Sequence, residues 1–372
     1  MALQELWNQF HQIASSPKKQ LDDYLAKGKK VVACVPVYTP EEIIHAMGMV
    51  PFGAWGADVE VNEAKSYFPA FICSIMQSVL ELGIKGSYQG VSAIVVPSLC
   101  DSLKCLGQNW KYAVTDIPFI PMTYPQNREN EVGVAFCKAG YERVIADLEK
   151  ATGMKFSDAE LKKSIVIYNE HNLVMREFAK ACSIHASISA SQRSDVFKSA
   201  YFMAKEEHTA LVKELLEELK MLENDEPKKI RIVTSGILAD SKNLLQILDD
   251  NNMQIVADDI AHESRQYRVD ASEAKAGLDA LAEKFADMGN CSVLYDVDKK
   301  RVDYVLNLAK EEKAQGVVLF MTKFCDPEEF DLVPIMNGCK RENIPFIQIE
   351  VDRQMVNYEQ ARTMVETLKE ML

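Results

Sequence analysis

Short, nearly continuous apolar runs alternate with longer amphipathic stretches along most of this chain. The runs Val31–Val35, Val91–Pro97, Ile230–Thr234, Gln254–Ala257 and Gly316–Phe320 are apolar at most positions, without strict alternation. That pattern predicts strands buried on both faces of a parallel sheet. The stretches between them carry helix-start signals. Thr39-Pro40-Glu41-Glu42 reads as a capping box with Pro at the first helical position, and Asp326-Pro327-Glu328-Glu329 reads the same way, with Asp326 as N-cap.

The pattern repeats. In the first half, the strand at Val31 is followed by an apolar turn at Val50–Trp55 and a helix over about Pro69 to Leu82. A strand ending near Ser98 leads into a helix over about Ser102 to Tyr112, then the string Ile117-Pro118-Phe119-Ile120. The second half runs through Ile230, Gln254 and Gly316 to Ile344-Pro345-Phe346-Ile347, with a terminal helix from about Tyr358. Between the halves the periodicity is helical, over about Val132–Ala151, Ser157–Ser183 and Val196–Leu222. Alternating strands and helices imply parallel sheets with right-handed crossovers and helices on both faces. The expected fold class is therefore α/β: two related doubly wound parallel-sheet modules facing a cleft, with a helical middle segment. Residues 1–150 form the first module, 151–226 the helical connection and 227–372 the second module. The polar, proline-broken segment Glu223–Lys229 marks the last boundary.

A length of 372 residues with 48% hydrophobic residues suits two modules and a large core. A net charge of −13 argues against nucleic acid as a main partner, since phosphate binding needs a basic face. No apolar stretch is long enough for a bilayer, and the polar N-terminal helix start lacks the regions of a signal peptide. The protein is expected to be cytoplasmic. Its nine cysteines are then expected as free thiols or ligands rather than disulfides.

Three of them stand out by position. Cys100 and Cys325 each end a predicted strand and precede an aspartate and a helix; Cys73 follows Phe68-Pro69 near the start of another helix. The carboxyl edge of a parallel sheet is where such folds place ligands, and a helix start favours the thiolate that binds metal. Three converging thiolates suit a soft site such as an iron–sulfur cube with one iron left open. Zinc competes, although the close Cys-x-x-Cys pairs of zinc folds are missing. The plainer alternative is that these are small buried apolar residues. Cys105 is an alternative to Cys100. Cys34 reads chiefly as core, and Cys137, Cys182, Cys291 and Cys339 as structural. His45 and His208 read as packing or surface residues. His262 falls in a polar loop, as a solvated residue or a proton carrier, and Arg265 and Arg268 read as surface ion-pair partners or an acid-binding pair. There is no Gly-x-Gly-x-x-Gly, no phosphate loop and no Ser/His/Asp arrangement.

Several motifs together carry a resemblance. They are Phe68–Ser74, Cys100-Asp101-Ser102-Leu103-Lys104 with Gly107-Gln108-Asn109-Trp110, Tyr124-Pro125-Gln126-Asn127-Arg128, Gly236–Asp240, and Lys323-Phe324-Cys325-Asp326-Pro327-Glu328-Glu329. The chain resembles the 2-hydroxyacyl-CoA dehydratase family over nearly its whole length, most closely the smaller, β-type subunit. The resemblance implies a heterodimer with a related α-type subunit and a [4Fe-4S] cluster on Cys73, Cys100 and Cys325. It implies an (R)-2-hydroxyacyl-CoA substrate bound mainly on the partner, and an electron delivered by a separate iron–sulfur ATPase activator. One electron added to the thioester carbonyl gives a ketyl radical that expels the α hydroxyl, after which the β proton is acidic enough to leave; the β-type cluster relays or holds the electron. The catalytic base, the fourth iron ligand and the acyl group are not specified by these motifs. The alternatives are a related ATP-driven acyl-CoA reductase, a double-cubane iron–sulfur protein, or a non-enzymatic two-lobed binding protein. The apolar flanks Phe71, Ile72, Phe320 and Phe324 are expected to keep a cluster from water.

Overall fold

The computed structural model describes residues 3–222 and 229–372. The first sheet contains β1 (Val31–Cys34), β2 (Val50–Gly53), β3 (Ala93–Pro97) and β4 (Phe119–Met122), the second β5 (Ile230–Gly236), β6 (Met253–Ile260), β7 (Gly316–Thr322) and β8 (Phe346–Val351). All pairings are parallel, and the two strand orders correspond: β2-β1-β3-β4 and β6-β5-β7-β8. The repeated Ile-Pro-Phe-Ile string has one structural meaning. Phe119 pairs with Ile94 and Phe346 with Val317, so in each module it opens the last strand beside the strand that leads to a Cys-Asp pair.

The apolar runs are explained by two-sided burial. Along β7, Val318 and Phe320 face a core containing Leu244, Leu248 and Val365, whereas Val317 and Leu319 face Val305, Leu306 and Ile335. The first face is covered by α10 (Lys242–Asp250) and α14 (Glu359–Met371), the second by α12 (Arg301–Glu311) and α13 (Asp326–Arg341). In the first module the helices are α1 (Leu3–Ser15), α2 (Pro17–Ala26), α3 (Glu41–Ala46), α4 (Ser74–Ile84) and α5 (Asp101–Ala113). Then follow α6 (Glu131–Thr152), α7 (Asp158–Ile184), α8 (Ala190–Ser199) and α9 (Lys205–Lys220), and α11 (Gly277–Asp287), later in the chain, packs against α6 and α7. The largest apolar cluster runs without a break from β1 and β3 through α6 to α9 into Ile237, Tyr267, Phe285 and Cys325.

The helix expected over Val196–Leu222 is two, α8 and α9. The break between them is held by Lys205 Nζ on the Ala200 carbonyl at 2.7 Å and by the Ala204 N–H on the Tyr24 hydroxyl at 2.8 Å. Neither expected capping box forms. Pro40 takes the N-cap of α3, and the Thr39 hydroxyl donates to the Val35 carbonyl at 2.7 Å. Cys325, not Asp326, takes the N-cap of α13, because left-handed Phe324 (φ 58°) turns the chain one residue early. Residues 223–228 of the expected boundary lie outside the described residues. No helix among the described residues is long and apolar enough to cross a membrane.

Candidate functional site

Each of the three cysteines singled out by position occupies the N-cap of a helix: Cys73 of α4, Cys100 of α5 and Cys325 of α13. α5 and α13 start just past the ends of β3 and β7, whereas α4 starts at the end of the long segment after β2, and two carboxyl sheet edges oppose one another. Between them lies a cavity of about 350 Å³ lined by all three cysteines. The first module contributes Pro36 and Val37 after β1 and Gln126 after β4; the second contributes Ile237 after β5 and Val293. Cys105 is not among the lining residues; one turn into α5, its sulfur lies 3.5 Å from Asn109 Nδ2. Helix starts carry partial positive charge and free N–H groups, which favour anionic sulfur.

Burial acts against that preference. It pushes the Cys73 thiol up to about 12, with Cys100 adding to the rise and the Ile75 and Met76 N–H groups opposing it. Burial also raises Cys100, against the N–H groups of Leu103 and Ser102, and raises Cys325 well above the ordinary thiol range, with Cys73 and Glu328 contributing. The expected ready thiolates are therefore protonated in the metal-free chain, because desolvation outweighs the helix starts. Among the described residues no group of three or more His, Cys, Asp or Glu side chains is drawn together tightly enough for a single metal ion.

The motif residues around the cavity are mostly braces. Asn109 Nδ2 donates to the Tyr67 carbonyl at 2.6 Å, and Trp110 Nε1 to the Ile117 carbonyl at 3.0 Å. Arg128 spans the modules, with Nε on the Met288 carbonyl at 2.8 Å and Nη1 on the Tyr295 carbonyl at 2.7 Å. Of the apolar flanks, Ile72 and Phe320 are buried. Phe71 is 72% exposed and Phe324 38% exposed, so Phe71 does not shield the cavity as expected.

The polar residues after β6 differ most from expectation. His262 is 1% exposed, stacked on Tyr201 with ring centroids 4.8 Å apart and meeting Trp55 edge-on. Burial pushes it down to about 3, which leaves it neutral. Arg265 is 3% exposed and binds Asp259, as does Arg268, so these are interior ion pairs and not surface ones. His208 is also buried, and His45 reaches Ser164 and Glu206 at 3.0 Å each. Cys34 lines a separate cavity of about 80 Å³ on the other side of Pro36 and Val37, where Glu41 pairs with Lys205 at 3.1 Å and Glu42 with Lys284 at 2.7 Å. Cys137, Cys182, Cys291 and Cys339 are buried away from the cysteine cavity. Arg353 was missed from the sequence. Its signal was its place just past the last strand, in the loop that closes over the start of α4.

Residues 36–372 match the family described as "2-hydroxyglutaryl-CoA dehydratase, D-component". The chain belongs to this family. It is 48% identical over 370 residues to the (R)-phenyllactyl-CoA dehydratase beta subunit of Clostridium sporogenes, covering 99% of each chain. It is 41% identical over 374 residues to the lactoyl-CoA dehydratase subunit beta of Anaerotignum propionicum, covering 100% of this chain and 99% of that one. To the (R)-2-hydroxyglutaryl-CoA dehydratase, subunit beta, of Acidaminococcus fermentans it is 38% identical over 379 residues, covering 100% of both. The resemblance read from the motifs is thereby shown: this is a chain of the 2-hydroxyacyl-CoA dehydratase β-subunit type, a subunit of a hydro-lyase.

Proposed function

We propose that this chain is the β-type subunit of an oxygen-sensitive (R)-2-hydroxyacyl-CoA dehydratase and that Cys73, Cys100 and Cys325 hold a [4Fe-4S] cluster. The observation that carries this reading is the meeting of three N-cap cysteines on one cavity of about 350 Å³. A single zinc ion needs its donors within about 2.3 Å of one point. A cluster presents its irons at separated corners, so thiols spread around a roomy cavity suit it better. Bound there, such a cluster supplies one-electron storage and transfer at low potential. The protein supplies three sulfur ligands on rigid helix starts, N–H groups directed at them, and apolar walls from Ile75, Met76 and Ile237 that limit water.

In this reading the chain is cytoplasmic and works with a related α-type subunit that carries most of the acyl-CoA site. A separate iron–sulfur ATPase activator delivers the electron that the β-type subunit holds or relays during ketyl-radical elimination of water to a 2-enoyl-CoA. The full-length relation to β subunits of three dehydratases supports the pairing. The test is iron and acid-labile sulfide per chain after strictly anaerobic purification, with a visible spectrum before and after air. About four of each and a brown colour that fades in air are expected. Cys100→Ser and Cys325→Ser should lose the colour, and Cys105→Ser should keep it. A colourless, iron-free chain that stays folded under those conditions overturns the reading.

A further inference from the structure

Behind Cys325, away from the cavity, lies a closed set of buried charges. Glu328, in the first turn of α13, is fully buried. Its carboxylate accepts from the Ser292 hydroxyl at 2.5 Å and from Arg301 Nη2 at 3.0 Å, and Arg265 Nη1 stands 3.8 Å away. Arg301 also donates to Asp259 at 2.6 Å, to Asp331 at 3.0 Å and to the Ser235 hydroxyl at 2.9 Å. Asp259 in turn takes Arg265 at 3.1 Å and Arg268 at 2.9 Å. Three carboxylates thus face three guanidiniums. Lys299, which pairs with Asp331 at 2.7 Å, has a side chain 45% exposed and adds only a solvent-screened charge.

The position of this set matters more than its contribution to stability, because buried ion clusters are often replaceable by apolar side chains without loss. Glu328 lies one helical turn past Cys325 in α13, and its N–H donates to the Cys325 carbonyl at 3.0 Å. We propose that the Glu328 carboxylate, balanced by Arg301, sets the reduction potential of the cluster at Cys325. This rests on the cluster reading above. Reduction adds one electron, hence one negative charge, to the bound cluster. A buried carboxylate opposes that charge and a buried guanidinium favours it, and neither is well screened in the interior. Glu328 is thus a positioning residue whose role is electrostatic. It is not part of the cavity wall and acts on the cluster through the turn that carries Cys325.

Removing the Glu328 charge leaves the interior set with an excess positive charge, so reduction becomes easier. Removing the Arg301 charge leaves an excess negative charge, so reduction becomes harder. Opposite signs from two partners of one ion pair are not what a merely structural role produces. The test uses the anaerobically prepared full chain. Iron and sulfide per chain are measured first, and then the cluster is titrated potentiometrically with its paramagnetic signal as readout. Glu328→Gln, which keeps the shape and an acceptor for Ser292, should load normally. Its reduction equilibrium should move about tenfold toward the reduced form, about 59 mV for a one-electron couple. Arg301→Gln should move it the other way, and Ser292→Ala far less. Should Glu328→Gln or Arg301→Gln fail to fold, Asp331→Asn removes a carboxylate on the same guanidinium and should shift the couple in the Glu328→Gln direction. A fully loaded Glu328→Gln or Asp331→Asn chain with the wild-type potential overturns the proposal and leaves the cluster reading intact. A wild-type chain that binds no iron sinks the cluster reading itself.

Discussion

Arg353 Nη1 donates to Asp240 Oδ1 at 2.7 Å, which joins the loop after β8 to the loop after β5. The same guanidinium reaches Asp58 and the Trp55 carbonyl of the first module, each at 3.1 Å. The Arg353 N–H bonds the hydroxyl of Ser74, the residue after Cys73, at 3.1 Å. One residue, through its guanidinium and its backbone N–H, therefore fixes the second module against the first and against the helix start that carries a cavity cysteine. Burial opposes ionisation of Asp240, but Arg353 and Lys198 hold its carboxyl well below the usual range.

Arg353→Met should consequently cost more than the loss of one contact. It leaves Asp240 buried and ionised with Lys198 as its remaining cation, at 2.7 Å. Breaking a buried pair in this way costs roughly 3–5 kcal/mol. Urea unfolding should show a lower midpoint at unchanged slope. The double variant Arg353→Met/Asp240→Asn should recover part of that loss, with a coupling of about 1–3 kcal/mol. Additive single losses would show that the two residues act independently.

Acid should unfold the chain earlier than its carboxylates alone would. His262 and His208 are each pushed down to about 3 by burial, and burial drives His171 well below its usual value. His171 and His208 are joined by one hydrogen bond, with Nε2 of the first 3.0 Å from Nδ1 of the second. In the unfolded chain each titrates near about 6.5. The stability from these depressed values is thus fully present above that pH and is lost as pH falls toward the folded values, because only the unfolded chain takes up the protons. Glu263, raised to about 7 by burial against the pull of Arg193, works the other way and offsets one of the three protons. A net two protons correspond to about 2.7 kcal/mol per pH unit below about pH 6. Unfolding free energies that stay flat between about pH 6 and about pH 5 would contradict this account.

Much of the fold was legible because two-sided burial leaves continuous apolar runs, and because the Ile-Pro-Phe-Ile string repeats at equivalent strand starts. Cys100 and Cys325 were legible for a related reason: a strand that leads into Cys-Asp before a helix puts the thiol at a sheet edge, while Cys73 was legible from its place at a helix start after Phe68-Pro69. The interior ion pairs were not. Asp259 and Arg301 lie 42 positions apart, and Arg353 and Asp240 lie 113 apart. A charged residue after a strand reads as solvent-facing until the element packed over it is known. His262 illustrates this, since Trp55 and Tyr201, from distant parts of the chain, turn a polar loop into an aromatic sandwich. Helix starts shifted by one residue for a different reason. Left-handed Phe324 depends on the turn from Thr322 to Cys325, closed by an N–H on a carbonyl at 3.0 Å, and not on any capping side chain.

Gly236 should tolerate no side chain. It ends β5 beside Phe320 of β7 with φ of 146°, and a Cβ there would lie 2.4 Å from the Phe320 carbonyl oxygen. Its own carbonyl accepts from the Ala261 N–H at 3.0 Å and from Arg265 Nη2 at 3.1 Å, so the backbone has little freedom to move away. Gly236→Ala should cost about 2–4 kcal/mol by strain and by spreading the carboxyl edge of the second sheet. Because β7 leads directly to Cys325, iron retention should fall as well. An alanine variant with wild-type thermal stability would mean that the sheet edge relaxes freely.

On the proposed cluster reading, assembly should release protons. Burial, the largest influence on each, raises Cys73, Cys100 and Cys325 above the ordinary thiol range, Cys73 to about 12, so near neutral pH the metal-free chain holds them as thiols. Metal binding requires thiolates, so each ligand must give up its proton when the cluster forms. The folded, metal-free state is then favoured by protons and the loaded state disfavoured. Apparent affinity should rise with pH and fall as pH drops, approaching a slope of about three in log affinity per pH unit while all three thiols remain protonated. The measurement is proton release into weakly buffered solution during anaerobic reconstitution, repeated on Cys325→Ser. The wild-type chain should release more protons than the variant, and its iron should be lost to a chelator faster at about pH 6 than at about pH 8. Proton release equal in the two chains would show that Cys325 does not bind as a thiolate, and the ligand set would have to be drawn again from Cys73, Cys100 and Cys105.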